Sequence, residues 1–312
     1  MKALRGVYAN RWVRYGLTLG LLALVLLKVR PQQIAGALSS VSPGALALGL
    51  ALTVPFLYLK ALRWRLMLEA AGIQAGFGEA LFSLVGGMGL ALVTPARLGE
   101  VVRAAYVRDP RKIKIGALVL IDKGFDVLVL ALLSVAGAWV LVSPALGVVL
   151  AAATALGLVF VYRPQLPARV LQGAARRLPL ADQIARALGA LESLNRRSTT
   201  IFLGLTAASF AVVLVQFAVV LSSWKAPAAD VVFLTFPLVI LTNVLPVTVA
   251  GLGVREGAAV LLLRHYGVPP AHAALAAFLM FFMNTALPGI AGALLLPAAS
   301  PARETVPRPD RP

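Results

Sequence analysis

The chain has 312 residues, of which 60% are hydrophobic and 13% are charged, and its formal net charge is +17. A soluble domain averages about 25% charged residues, so this composition excludes an ordinary soluble protein. Several apolar runs reach the roughly 20 residues that a bilayer-spanning helix needs, and the alternating pattern of a membrane β-barrel is absent. The sequence therefore predicts an all-α polytopic membrane protein with a single transmembrane domain at residues 15–297.

The basic residues lie mainly between the apolar runs, which is typical of cytoplasmic loops. We therefore attribute the net charge to membrane topology and expect no nucleic-acid partner. Residues 1–14 form a basic leader, and no cleavage site follows the first apolar run, so we expect a retained first span. With a disordered tail at 298–312, this predicts a multi-pass protein of the cell (inner) membrane with both termini in the cytoplasm.

Six apolar runs are predicted to be full spans. They cover about residues 15–29, 44–62, 115–142, 145–162, 199–222 and 271–296. The charged stretch at 60–69 has Trp64 at helical spacing, and we expect it to slide out into the cytoplasmic interface. The Arg-rich loop at 163–198 is the strongest indication of the cytoplasmic side.

Two shorter apolar runs are followed by a proline, and each continues as a second short helix. The first runs from about 80–93 to 97–106, and the second from about 231–245 to 254–263. Their lengths suit broken re-entrant hairpins better than spans. The order span, span, hairpin, span then occurs twice, at 15–142 and at 143–297, in opposite orientations. This predicts two inverted repeats, an arrangement that recurs in transporters.

The first hairpin carries Arg97, Glu100 and Arg103, which are spaced so that Glu100 can contact both arginines on a helix. A buried arginine needs a partner, and a guanidinium in a polar groove binds phosphate well. We interpret these residues as a substrate-binding cluster. The alternative is that they are ordinary loop charges in the cytoplasmic interface.

The second hairpin carries Gly251, Gly253, Arg255 and Glu256. The glycines permit a sharp turn, and the amides that begin the next half-helix form a natural anion site. Because Arg255 and Glu256 are adjacent, we expect them to point to different sides, with Glu256 pairing across the bundle. A plain turn between two helices is the alternative.

Other polar residues interrupt the spans. Asp122 and Asp126 share one face of the third span, where either is expected to balance a hairpin arginine or to form a proton or cation site. Gln216, Asn243 and Asn284 are expected to form hydrogen bonds between helices. The sequence has no catalytic triad, P-loop or zinc motif, so we predict no metal and no cofactor.

Three stretches resemble one known family. They are Pro95–Arg103, Asp122–Asp126 and Pro246–Gly257, and together they resemble the lysylphosphatidylglycerol synthase transmembrane region, the flippase-like part of bacterial multiple peptide resistance factor. The resemblance covers about residues 10–297. Lys123 departs from the arginine that is more usual in that pattern. No aminoacyl-transferase domain follows Leu296, so the resemblance implies lipid translocation without enzymatic activity.

The resemblance leads to one expectation about function. The protein is expected to translocate a phospholipid or a polyprenyl-phosphate lipid, with membrane lipids as its partners and a homo-oligomer as a possible assembly. The arginines would bind the phosphate, while Glu100, Asp126 and Glu256 would balance them. A secondary transporter of a small hydrophilic anion is the alternative, and a closed cavity without an opening to lipid would favour it.

Overall fold

The computed structural model describes residues 36–93, 95–163, 195–224, 229–244 and 251–295, and these contain helices and no strand. The α-helices are α1 (Pro43–Ala70), α2 (Phe77–Val93), α3 (Lys112–Gly137), α4 (Pro144–Tyr162), α5 (Arg196–Ser222), α6 (Ala229–Leu241), α7 (Val254–Leu263), α8 (Pro270–Phe281) and α9 (Leu287–Leu295). A 3₁₀ helix spans Pro95–Tyr106, and π-helical turns at Ala138–Val142 and Phe282–Ala286 extend α3 and join α8 to α9.

Five helical segments within the described ranges are long and apolar enough to cross a membrane. They are Pro43–Ala70, Lys112–Val142, Pro144–Tyr162, Arg196–Ser222 and Pro270–Gly292. These confirm five of the six predicted spans and the predicted all-α multi-pass class. The remaining span, at 15–29, lies outside the described residues, as do 164–194 of the basic loop and the tail from 296 onward.

Helix α1 corrects one expectation. The predicted span ended near residue 62, but the helix continues to Ala70 without a break, and its inner face includes Lys60, Arg63 and Trp64, all buried. The prediction that this stretch lies in the cytoplasmic interface was therefore wrong for these three side chains. The reason is that carboxylates on α3 pair with Lys60 and Arg63, which offsets much of the cost of burying the two cations.

The first hairpin consists of α2 and the 3₁₀ helix Pro95–Tyr106, which packs back against α2. The two arms approach closely at Gly87, where an added Cβ atom would lie 2.9 Å from the Cβ atom of Arg103. A larger residue at 87 would push the two arms apart. The close approach brings Glu100 and Arg103 to the interior of the bundle, where both are buried.

The second hairpin consists of α6, a 3₁₀ turn at Thr242–Val244, and α7. Residues 245–250 lie outside the described ranges, so the predicted break at Pro246 is described only from Gly251 onward. Helix α6 packs on α7, and α7 packs on α8. Both hairpins therefore stand beside the span that follows them in the chain, since the first hairpin also packs on α3.

Each hairpin also packs on the final span of the other half of the chain. Gly292 of α9 crosses α2, and a Cβ atom there would lie 2.3 Å from the carbonyl oxygen of Val85. Gly137 of α3 crosses α6, and a Cβ atom there would lie 1.9 Å from the carbonyl oxygen of Leu234. Glycine thus permits contact between helix backbones at both crossings. Helices α1 and α5 pack along each other between the two hairpins.

Candidate functional site

A cavity of about 350 Å³ lies between the two hairpins, bounded by α1, α3, α5 and α8. Its wall is mostly apolar but includes nine polar or charged residues, which are Lys60, Glu100, Asp122, Lys123, Asp126, Asn243, Arg255, Asn284 and Thr285. Charges in such an apolar wall are costly unless each is paired. Nowhere in the described ranges are His, Cys, Asp and Glu side chains grouped so that they could hold a metal ion.

Asp126 stands where α3 faces α1, and it is the acceptor for two cations of α1. Lys60 Nζ lies 2.6 Å from Asp126 Oδ2, and Arg63 Nη1 lies 2.8 Å from Asp126 Oδ1. Lys123, on the same helix, approaches Asp126 Oδ2 to 3.8 Å. Three cations therefore surround this one carboxylate.

Asp122 lies one turn before Asp126 and bridges α1 to the first hairpin. Its Oδ1 atom lies 2.6 Å from Arg63 Nη2, and its Oδ2 atom accepts a hydrogen bond of 2.6 Å from Arg103 Nη2. The guanidinium of Arg103 also stacks 3.9 Å above the Trp64 ring, and Trp64 Nε1 donates to Ser83 Oγ of α2. The expectation that a carboxylate of this span balances a hairpin arginine is confirmed.

Glu100 of the first hairpin pairs with Lys123 of α3. Together with the pair of Arg103 and Asp122, each of the two elements therefore supplies one cation and one carboxylate to the other. The expected pairing of Glu100 with Arg103 is not formed, because Arg103 turns to Asp122. The side chain of Arg97 lies outside the described atoms, and its expected contact with Glu100 stays a prediction. Lys123 is the most accessible cation of the group, with 37% of its side chain exposed.

Arg255 and Glu256 pair with each other at the start of α7. This corrects the expectation that Glu256 pairs across the bundle. Glu256 stands at the third position of the helix, and its Oε2 atom accepts a hydrogen bond of 2.6 Å from the Gly253 amide. This capping bond pulls the carboxylate back to the helix start, within reach of Arg255. The predicted anion site at these amides is thus partly filled by the protein's own carboxylate.

Gly251 and Gly253 both have positive φ angles, of 75° and 84°. Such angles are strained for other residues, so the glycines fix the turn that leads into α7. Gly251 also leaves space for Asn243, because a Cβ atom at 251 would lie 2.2 Å from Asn243 Oδ1. Both glycines therefore shape the second hairpin, and their role in substrate binding stays a prediction.

A series of hydrogen bonds made by two side-chain amides crosses the bundle beside the cavity. Asn284 Nδ2 donates to Gln216 Oε1 at 2.6 Å, and Gln216 Nε2 donates to the carbonyl oxygen of Gly49 at 2.6 Å and to Thr53 Oγ1 at 3.2 Å. These hydrogen bonds link the junction of α8 and α9 to α5 and α1. The expected hydrogen bonding between helices is confirmed for Gln216 and Asn284.

Four predicted site residues line the cavity, namely Glu100, Asp122, Asp126 and Arg255. Arg103 and Glu256 are buried directly behind them and hold them in place. Lys60 and Arg63 were missed. Their signal in the sequence is the three-residue spacing of two cations within an apolar run, which places them on one helix face, as the four-residue spacing does for Asp122 and Asp126 on α3.

The charges of the site do not cancel. The described cations are Lys60, Arg63, Arg103, Lys123 and Arg255, and the carboxylates are Glu100, Asp122, Asp126 and Glu256. There is one more cation than carboxylate, so this set of side chains carries a formal charge of +1. An anion of single charge would neutralise it.

The chain matches a known protein family. The model of the family described as "Lysylphosphatidylglycerol synthase TM region" matches residues 11–292, which include both hairpins and every residue of the cavity wall. A search of curated proteins gives no match.

Proposed function

The chain belongs to the lysylphosphatidylglycerol synthase TM region family, and we propose that it moves a phospholipid or a polyprenyl-phosphate lipid between the leaflets of the cell (inner) membrane. The headgroup crosses within the cavity between the hairpins, and the acyl chains stay in the bilayer. Such a path matters because a bare charged headgroup in hydrocarbon costs several kcal/mol or more.

One observation carries this proposal. Part of the apolar lining of the charged cavity is solvent-accessible, namely Leu120 and Val127 of α3 and Val244 of the second hairpin. These residues are 53%, 38% and 47% exposed, and we infer that they face lipid. A lipid can therefore place its headgroup among the charges while its chains pass between α3 and the second hairpin.

The balance of charge supports a phosphate ligand. Phospholipid phosphodiesters carry one negative charge, and the described site has an excess of one positive charge. Lys123 lines the cavity from α3, beside the first hairpin, and Arg255 lines it from the second hairpin. Lys123 is also accessible, so we assign phosphate binding to these two cations. Asp122 and Asp126 hold Arg63, Arg103 and Lys60 in fixed positions when the cavity is empty.

The helix packing supports an alternating path. Each hairpin packs both on the span that follows it and on the last span of the other half, as expected for inverted repeats at 15–142 and 143–297. In such folds, one half rocks against the other around a fixed binding site. The cavity lies between the two hairpins, where such a motion would expose it to each leaflet in turn.

A secondary transporter of a small hydrophilic anion is the other candidate, because the same excess of positive charge would bind a soluble phosphate. The exposed apolar lining favours the lipid, since a soluble anion gains nothing from it. Neither function requires an enzymatic step, and we propose none.

The test reconstitutes the protein in liposomes and follows two substrates. Movement of a fluorescent phosphatidylglycerol between leaflets is measured in parallel with uptake of radiolabelled glycerol 3-phosphate. We expect lipid movement above protein-free liposomes, its loss in Arg255→Gln and Glu256→Gln, and no uptake of the soluble anion. Uptake of glycerol 3-phosphate without lipid movement would overturn the proposal.

Thr154→Val is the matched control for these variants. Thr154 is buried on α4, away from the cavity wall, and its hydroxyl has no hydrogen-bond partner in the described structure. The variant removes a buried polar atom without touching the site, so lipid movement should be unchanged.

A further inference from the structure

Two amide side chains of the cavity wall have carbonyl oxygens that accept no hydrogen bond. Asn243 Oδ1 and Asn284 Oδ1 are both buried, and neither has a partner among the described residues. Both residues line the cavity. A buried acceptor without a partner is unfavourable, so two beside one cavity favour a ligand that donates hydrogen bonds there.

The orientation of Asn284 is determined by its neighbours. The Gly49 carbonyl can only accept, so the Gln216 nitrogen must face it, at 2.6 Å. The Gln216 oxygen must then face Asn284, which places the Asn284 nitrogen against Gln216. The oxygen of Asn284 is therefore the atom of this amide that has no partner. The backbone carbonyl of Gly49 fixes the orientation of both side-chain amides, so flipping either amide alone would place two donors or two acceptors against each other.

The backbone also departs from regular helix at Asn284, which lies in the middle of the π-helical turn Phe282–Ala286. Pro288 has no amide hydrogen to donate four residues back, and the Leu287 amide reaches back five residues to the Phe282 carbonyl instead. Single π turns occur frequently at functional sites. This turn sets Asn284 where it contacts Gln216 and the cavity together.

The charged acceptors of the cavity are already engaged. Asp126 pairs with Lys60 and Arg63, Asp122 with Arg63 and Arg103, and Glu100 with Lys123. An ammonium group entering the cavity would find these carboxylates neutralised. Neutral hydroxyl groups, by contrast, match neutral amide oxygens, and their burial costs far less than the burial of a second charge.

We propose that Asn243 and Asn284 form a hydrogen-bond acceptor subsite that selects lipid phosphodiesters with hydroxyl-bearing headgroups, such as glycerol or a sugar, over those with amine headgroups. The inference rests on the proposed function, since it concerns the lipid that enters the same cavity. Gln216 is the positioning residue that directs the Asn284 oxygen. Gly251 keeps the space that the Asn243 amide occupies.

The test measures binding and movement separately. Purified protein in detergent receives an equimolar mixture of phosphatidylglycerol and phosphatidylethanolamine with identical acyl chains, and native mass spectrometry gives the ratio retained. One or two neutral hydrogen bonds predict a preference for phosphatidylglycerol of about three- to tenfold. The variants are Asn284→Leu, Asn284→Asp and the control Thr154→Val, and liposome assays measure the movement of each lipid.

We expect Asn284→Leu to bring the retained ratio close to one by lowering the retention of phosphatidylglycerol. Asn284→Asp, which has the same shape and adds a charge, should shift the preference toward the amine headgroup. It also remains informative if the leucine variant fails to fold. An unchanged ratio in both variants, or a wild-type preference for phosphatidylethanolamine, would overturn the subsite.

The two proposals fail differently. Selective retention without movement of either lipid would contradict translocation and leave the subsite standing. Equal retention and equal movement of both lipids would contradict the subsite and leave translocation standing. If neither lipid moves and neither is selectively retained, both proposals are contradicted.

Discussion

Arg103 of the first hairpin and Asp122 of α3 form a buried ion pair, with Arg103 Nη2 lying 2.6 Å from Asp122 Oδ2. Both side chains are almost fully buried, and the Arg103 guanidinium is covered on one side by the Trp64 ring. The pair ties the returning arm of the hairpin to the span that carries the cavity charges. Its loss should therefore loosen the site and the hairpin together.

The first prediction concerns this pair. Arg103→Met leaves the buried Asp122 with Arg63 as its single cationic partner, and we expect a loss of about 3 kcal/mol in the free energy of unfolding. Chemical denaturation in detergent measures it. Arg111→Met is the control, because Arg111 pairs with Asp109 at the exposed surface, where ion pairs contribute little. Equal stability of the two variants would contradict the structural role of Arg103.

The second prediction separates two effects at Gly251. Gly251 and Gly267 have φ angles of 75° and 73°, but an added Cβ atom at 267 meets nothing within 4 Å, whereas at 251 it meets Asn243 Oδ1. Gly267→Ala should cost about 1–2 kcal/mol from backbone strain alone. Gly251→Ala should cost more and should also slow lipid movement. If both variants lose the same stability and Gly251→Ala moves lipid normally, the contact with Asn243 has no role.

The third prediction concerns the crossing of α3 and α6. Gly137→Ala places a methyl group on the Leu234 backbone, which cannot move without shifting α6, so we expect a destabilised protein and reduced lipid movement. Gly124→Ala on the same helix meets nothing within 4 Å and should stabilise α3 by about 0.5–1 kcal/mol. Thermal unfolding of the two variants gives the comparison. A tolerated Gly137→Ala would show that the two helices are farther apart than described.

The fourth prediction concerns Lys123, the accessible cation of the cavity. Lys123→Met should lower lipid binding by about tenfold or more through loss of a charged hydrogen bond, and it should also reduce stability, because the buried Glu100 loses a cationic partner. Lys112→Met is the control, since Lys112 lies at the start of the same helix and its ammonium contacts backbone carbonyls outside the cavity wall. Native mass spectrometry of retained phosphatidylglycerol measures the difference. Equal retention by both variants would exclude Lys123 from the phosphate site.

Five of the six spans and the paired short helices of the two hairpins could be predicted because apolar length and proline position are local features of the sequence. The pairing of charges could not. Lys60 and Arg63 looked like interface residues because only the fold shows that Asp122 and Asp126 lie opposite them on α3. The side chains of Arg255 and Glu256 were expected to point to different sides of the helix because the two residues are adjacent in the sequence. The bond from the Gly253 amide to Glu256, which depends on the exact start of α7, brings them together.

Asn284 shows a further limit of the sequence. Its hydrogen bond to another helix was expected, but the direction of its amide depends on the Gly49 carbonyl, which lies far away along the chain. Side-chain polarity alone does not show which end of the amide faces the cavity.

The most direct test of headgroup entry is photo-crosslinking of a phosphatidylglycerol that carries a diazirine in its headgroup, in liposomes, followed by peptide mapping. We expect labelling of cavity-wall residues such as Phe281 and Thr285, and loss of that labelling in Lys123→Met. A second probe with the diazirine at the end of an acyl chain should instead label outward residues such as Val148 and Val149 of α4. A headgroup probe that labels only outward-facing residues, with the cavity wall unlabelled, would contradict the claim that the headgroup enters the cavity.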